Sequence, residues 1–335
     1  MTVRVLQWMR RPPPGAYSLE RLYEDIRGRL PADISVEVRV ARFYSQGLWR
    51  RVFIALAVLR QGAEVYHVTG DVHFLTYCLP KRRTILTILD CGMLDGSQGL
   101  KRWLLWWFWF WLPERRCAAI AVISAATKYQ VLRHLRCDPD KIRVIHCNVS
   151  DEFQPVAKSF AAQRPRLLQI GTTPNKNIER VAAALAGLDC ELAIIGRLNG
   201  AQRAALERHA VRYENRMGIS RAELVDEYRR CDVVIFASTY EGFGLPIVEA
   251  NAVGRPVVTS NLLSMPEVAG DAACLVDPFD VASIRLGIQR VLEDPAYRED
   301  LIRRGFENVR RFRTAAIAEQ YAALYREIAA RASRG

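Results

Sequence analysis

The chain has 335 residues, half of them hydrophobic and a quarter charged, a globular composition that excludes disordered or fibrous classes and allows one large domain or two ordinary ones. Its formal charge of +12 favours an anionic partner, whether nucleic acid, phospholipid or a phosphorylated small molecule, without choosing among them. The eight cysteines form no C-x-x-C pair and read as buried thiols of a reducing cytoplasm, and the opening MTVRVLQWMRR reads as a strand rather than a secretion signal.

Short β-branched runs alternate with helical patterns along the chain, as in parallel sheets covered by helices on both faces. Strands are expected at Val3 to Trp8, Ser35 to Ala41, Glu64 to Gly70, Arg83 to Asp90, Ala119 to Ser124 and Ile142 to Cys147. After the first strand, RRPPPGAYSLER is stiffened by Pro12, Pro13 and Pro14, leaving Gly15 before a helix that starts near Ser18. Arg10 and Arg11 then face either a phosphate or solvent. The segment from Asn148 to Arg166 breaks the rhythm with Pro155 and Pro165 and is read as a linker. A second series follows at Arg166 to Gly171, Cys190 to Gly196, Asp232 to Ser238, Arg255 to Asn261 and Ala273 to Val276. The expectation is α/β, two doubly wound Rossmann-like domains facing across a cleft, 1–150 and 151–335, with the C-terminal helix free to return to the first. Ligands of such sheets bind beyond the carboxyl ends of the strands.

One stretch is anomalous. WLLWWFWFWL, Trp103 to Leu112, holds five of the seven tryptophans, and its ten residues are too few for a membrane span of roughly 20. A helix apolar all round is buried or shared with another apolar phase. Lys101, Arg102, Arg115 and Arg116 flank it, so Trp106, Trp107, Trp109 and Trp111 are candidates for contact with an anionic membrane surface; the competing reading is a core helix or a subunit contact.

The chemistry concentrates in YEGFGLPIVEA, Tyr240 to Ala250, just past an expected strand. Gly242 and Gly244 permit close backbone approach, and Pro246 suits the first turn of a helix, so the amides around Phe243 and Leu245 form an anion site for a diphosphate. Carboxylates beside a diphosphate repel it. Glu241 and Glu249 therefore point to neutral hydroxyls, as on a sugar. The loop GTTPNKN, Gly171 to Asn177, likewise turns after a strand and opens a helix, bringing its amides and Lys176 toward the same anion.

Glu241 and Glu249 with the intervening GFGLPIV resemble the E-x7-E motif of retaining glycosyltransferases of family 4, which have the GT-B fold. The resemblance continues through Glu249 to Pro278, Leu167 to Val181 and Leu192 to Leu198. It implies that Glu249 holds the ribose of a nucleotide-sugar and Glu241 a hydroxyl of the transferred sugar. Relatives commonly carry arginine where this chain has Thr172, so Lys176 supplies most of the charge, with Arg197 a helper. Many relatives also have histidine before an aspartate in the first domain, where this chain has Leu89 before Asp90; His67, the nearest imidazole, is an acceptor-side or a structural residue.

The implied reaction is front-face displacement at the anomeric carbon, with Lys176, Glu241 and Asp90 as the catalytic candidates and no metal or other cofactor. The D-x-D at Asp138 to Asp140 is read as a chance match in a turn. The expected donor is a nucleotide diphosphate hexose, mannose or glucose among the candidates. The acceptor is a lipid-linked saccharide or polysaccharide precursor, placing the protein in the cytoplasm, peripheral at the inner face of the plasma membrane. The alternative is a non-catalytic GT-B assembly partner at the membrane. An epimerase lacks an evident acid–base set, and a nucleic-acid partner is not expected.

Overall fold

The structure, a computed structural model, describes residues 2–12, 18–45, 47–58 and 62–333, with Ser18 and Leu48 described by their backbone alone. Pro13, Pro14 and Gly15 lie outside the described residues. The chain divides into two units, Met1–Asn148 with Thr314–Gly335, and Val149–Arg313.

In the first unit β1 (Val3–Met9), β2 (Ile34–Val40), β3 (Val65–Val68), β4 (Thr84–Ile88), β5 (Ala119–Val122) and β6 (Ile142–Val144) form a parallel sheet ordered β2-β1-β3-β4-β5-β6. β3, β4 and β5 are buried along their whole length, which is why they read as unbroken apolar runs rather than alternating ones. The last helix, Thr314–Ser333, belongs to this unit although it ends the chain. Tyr321 and Tyr325 on it pack against Tyr23 and His67, and Arg326 makes a two-pronged contact with Asp33 at 2.7 and 2.8 Å. The last helix of the expected second domain, 151–335, thus lies with the first unit, the return that the sequence left open.

The second unit has the same plan, with β7 (Arg166–Ile170), β8 (Glu191–Ile195), β9 (Arg212–Arg216), β10 (Val233–Phe236), β11 (Val257–Ser260) and β12 (Cys274–Val276) in the order β12-β11-β10-β7-β8-β9. Leu167, Ile194, Val233 and Val258 are fully buried at its centre. β9 was not expected from its sequence, RYENR. Among the described residues it is an edge strand paired with β8 alone, and its polar side chains form ion pairs instead of packing, Arg216 with buried Glu227 at 2.5 Å and Glu214 with Arg166 at 2.6 Å. Because β7 lies between β8 and β10, strand order reverses beside it. The crevice past the carboxyl ends of β7 and β10 is therefore the topological switch point, where open α/β sheets bind ligands.

Candidate active site

Two loops leave the sheet at that switch point, Gly171–Asn177 after β7 and Ala237–Gly244 after β10. They are stitched together: the amide of Thr239 donates to the Asn175 carbonyl at 2.8 Å, and Asn175 Nδ2 donates to the Tyr240 carbonyl at 2.8 Å and to Glu241 Oε1 at 3.1 Å. Lys176 Nζ reaches the same carboxylate oxygen at 2.5 Å and lies 4.7 Å from the centre of the Phe236 ring. Ser264 Oγ is 2.9 Å from the carbonyl oxygens of both Glu241 and Phe243, holding the second loop from the other side.

Backbone geometry explains two of the glycines. Gly171 has φ of +84°, and a Cβ there would meet Lys176 Cε at 3.0 Å, so glycine lets the lysine fold back across its own loop. Gly244 has φ of +107° and starts the helix Leu245–Val253, with Pro246 in the first turn. Asn177, also left-handed at φ 62°, starts the helix Ile178–Leu185 and anchors it by donating to the Ala237 and Pro278 carbonyls. Two helix N-termini therefore converge where Lys176 lies, adding positive potential to the ammonium.

Glu241 and Glu249 occupy different environments. Glu241 keeps part of its carboxylate at the surface, and its Oε2 makes no hydrogen bond among the described residues. Glu249 is buried. Its Oε2 accepts from the Tyr228 hydroxyl at 2.6 Å, and Arg221, steadied by Glu152 at 2.7 Å and stacked on Phe153, lies 3.5 Å from its Oε1. Burial raises the Glu249 pKa, against the opposing pull of Arg221. Thr172 lies over Gly196, donates to the Arg197 carbonyl at 2.9 Å, and has its own carbonyl bonded by Gln202, so it shapes the loop. Arg197 is exposed beside it.

The family model described as glycosyltransferase family 4 matches residues 3–153, and the one described as glycosyl transferases group 1 matches residues 151–308. The chain belongs to glycosyltransferase family 4. It is 30% identical over 248 residues to MMP alpha-(1->4)-mannosyltransferase of Mycolicibacterium hassiacum, covering 67% of this chain and 59% of that one. It is 45% identical over 85 residues to O-antigen chain mannosyltransferase B of Escherichia coli, 25% of this chain and 22% of that one. The match thus spans less than two thirds of either relative. Among solved structures, sucrose-phosphate synthase from Thermosynechococcus elongatus superposes with a TM-score of 0.82 at 20% identity, covering 98% of this chain and 99% of that one. Anabaena HepE in complex with UDP-glucose gives 0.78 at 16% identity, covering 97% of this chain and 100% of that one. The fold is GT-B.

The first unit of this family 4 chain places its candidates less favourably. His67 is wholly buried, its Nδ1 2.8 Å from the Tyr325 hydroxyl and its Nε2 2.7 Å from Thr87 Oγ1, and burial lowers its pKa to about 3. Both ring nitrogens are spoken for. The acceptor-side expectation for His67 is corrected to a structural one. Arg10 pairs with Glu20 at 3.1 Å, while Arg11 donates to the Arg42 carbonyl and lies over Tyr44. Asp90 is exposed past β4 and accepts from the Gly92 amide at 2.8 Å. Asp138 accepts from the Asp140 amide within a turn at Pro139–Lys141.

The aromatic run is divided between core and surface. The helix Gly99–Leu105 widens into a π-helical stretch, Trp106–Trp111, which turns Trp109 and Phe110 into the core at 9% and 2% exposure. Trp106 packs against that core and donates to the His134 carbonyl at 2.8 Å. Trp109 is therefore a core residue, correcting its assignment to membrane contact, while Trp106 is half-buried. Trp107 and Trp111 remain half-buried, stacked at 4.3 Å with Arg115 over Trp111, and Trp103, Leu104 and Phe108 are the exposed members. Among the described residues no helix is long and apolar enough to cross a membrane.

Sequence reasoning missed Asn175, Ser264, Tyr228 and Arg221. Asn175 and Ser264 stood inside stretches already singled out; Tyr228 and Arg221 carry no motif and reach the site only through folding.

Proposed function

We propose that the protein is a retaining hexosyltransferase that uses a nucleotide diphosphate sugar, with the diphosphate bound between Lys176 and the amides at Gly242–Leu245. The observation that carries this reading is the contact of Lys176 with Glu241 at the switch point, a cation and a carboxylate held together beside two helix N-termini. A lysine has three N–H donors and one is used on Glu241, leaving two for phosphate oxygens. Glu241 Oε2 is left to accept from a sugar hydroxyl. In the front-face step the anomeric carbon–oxygen bond to diphosphate breaks as the acceptor oxygen bonds on the same face, and the acceptor proton passes to the leaving diphosphate. The lysine and amides stabilise the charge that grows on that group, the largest electrostatic task in the reaction.

Glu249 is proposed to fix the ribose edge of the nucleotide. Its two oxygens retain lone pairs beyond those used by Tyr228 and Arg221. The named mannosyltransferases among the relatives favour mannose as the sugar, and a lipid-linked saccharide is the acceptor proposed; no metal is assigned a part. The same Lys176 and Glu241 contact disfavours a non-catalytic assembly partner. A panel of UDP-, GDP- and ADP-sugars in thermal-shift assays tests the donor: one nucleotide class should raise Tm in proportion to the logarithm of its concentration. No shift with any of them at millimolar concentration overturns the reading.

A further inference from the structure

The first unit has a second concavity. A groove of about 790 Å³ runs between the helix Leu48–Val58 and the helix Gly99–Leu105 with its π-helical continuation, lined by Val52, Ala55, Phe74, Leu104 and Phe108 among others. That volume lies in the range of small-molecule sites. Its walls continue onto open surface: Trp49, Val52, Phe53 and Leu56, spaced for one helix face, are 75, 39, 63 and 53% exposed, and Leu100 across the groove is 71% exposed. Such an unpartnered apolar face marks an interaction site.

Two further observations say what fits. Among the described residues, three polar atoms of residues lining the groove are buried without a hydrogen-bond partner, namely Ser45 Oγ, Arg51 Nε and Trp109 Nε1. Leaving such groups unmade costs stability, so they await an acceptor. Charge is the second. Arg51 and Lys101 line the groove against one carboxylate, Asp71, and Arg50 and Arg102 flank it on the two helices. An apolar trough with orphaned donors and a net positive rim is complementary to an anionic amphiphile. A second copy of this chain would instead bring its own +12 charge against it.

We propose that this groove binds one aliphatic chain, acyl or isoprenoid, of an anionic lipid, whose phosphate accepts hydrogen bonds from Arg51 Nε and Trp109 Nε1. The inference rests on the proposed transferase reading only for what the lipid carries, a saccharide to be extended. It gives the first unit a binding task that its buried His67 and paired Arg10 do not perform.

The test uses the whole chain and tryptophan fluorescence, with dodecyl phosphate, octyl phosphate and inorganic phosphate as probes below micelle formation. Dodecyl phosphate should saturate at one per chain and bind more tightly than octyl phosphate, by up to about fourfold per added methylene, while inorganic phosphate alone should not displace it. Ala55→Phe, which fills the groove, and Leu104→Lys, at an exposed wall position, should each weaken it at least tenfold. Equal affinity for the two chain lengths, displacement by inorganic phosphate, or unchanged binding in both variants overturns the proposal. So does a concentration-dependent dimer from which dodecyl phosphate is excluded. The nucleotide-sugar thermal shift run on the same samples separates the two readings: dodecyl phosphate binding without any donor shift leaves the groove standing and removes the transferase.

Discussion

Each unit is a six-stranded parallel sheet with a reversal of strand order, yet the two reversals are dressed differently. Past β7 and β10, Lys176 and Glu241 are in contact but each keeps bonding capacity for a ligand, and two helix N-termini add to the field. Past β1 and β3, Arg10 leans over Gly70 and spends its charge on Glu20, and His67 inside the sheet spends both nitrogens on Thr87 and Tyr325. The first unit instead exposes apolar helix faces, which the second does not do on that scale. A switch point is a place where chemistry is possible; the side chains that remain unspent decide whether it occurs.

The comparison breaks most visibly through stability. Trp109→Ala should cost roughly 3–5 kcal/mol, the scale for removing a large buried aromatic, whereas Trp103→Ser, on the exposed part of the same run, should change stability by less than about 0.5 kcal/mol. Urea unfolding followed by circular dichroism checks both. Similar losses in the two variants would mean the run is not divided between core and surface.

Next is Lys176→Ala in the second unit, expected to lower turnover by about 10²-fold or more while Arg10→Ala in the first lowers it far less. Release of nucleoside diphosphate measures it. A smaller effect at Lys176 than at Arg10 would invert the comparison.

Glu249→Gln sharpens it. Burial raises the folded-state pKa of Glu249 above its unfolded value, so the ionised carboxylate is favoured less in the fold, and the stability attached to its protonated form is lost as pH rises through the folded pKa. The amide should therefore be as stable as the parent at neutral pH, yet bind free nucleoside diphosphate roughly tenfold more weakly, the scale of one hydrogen bond to a charged group. Calorimetric titration reads the second effect and thermal unfolding the first. A variant that binds normally ends the ribose assignment.

The last effect is a slope. His67 has a folded pKa of about 3, below the unfolded value near 6.5, so the unfolded chain binds more protons between them and stability falls with falling pH in that window. One such group contributes at most about 1.4 kcal/mol per pH unit. His67→Gln should flatten the curve by that share between pH 6 and pH 4. An unchanged slope would place His67 in contact with water.

Much of this was legible in the sequence because parallel strands buried on both faces are apolar runs, and because loops at strand ends carry their glycines and prolines in order. The proposed anion site around Gly242–Leu245 and the turn of the loop Gly171–Asn177 needed only local rules. What was hidden depends on distance in the chain. Lys176 and Glu241 are 65 positions apart, and nothing local announces their contact. Nothing local decides between the two readings of His67, because the partner that closes over it, Tyr325, is 258 positions away. β9 was unreadable for the opposite reason, since an edge strand held by ion pairs shows no apolar pattern. The exposed face of Leu48–Val58 has the periodicity of a helix buried in a core, and periodicity does not say what covers it.

The second unit alone is expected to carry the donor's diphosphate, through Lys176. Calorimetric titration of the nucleotide-sugar selected by the thermal-shift panel into the parent and Lys176→Ala tests it most directly. Binding to one site is expected in the parent, weakened roughly tenfold or more in the variant while both unfold at nearly the same temperature. Equal affinity in two folded proteins would contradict it.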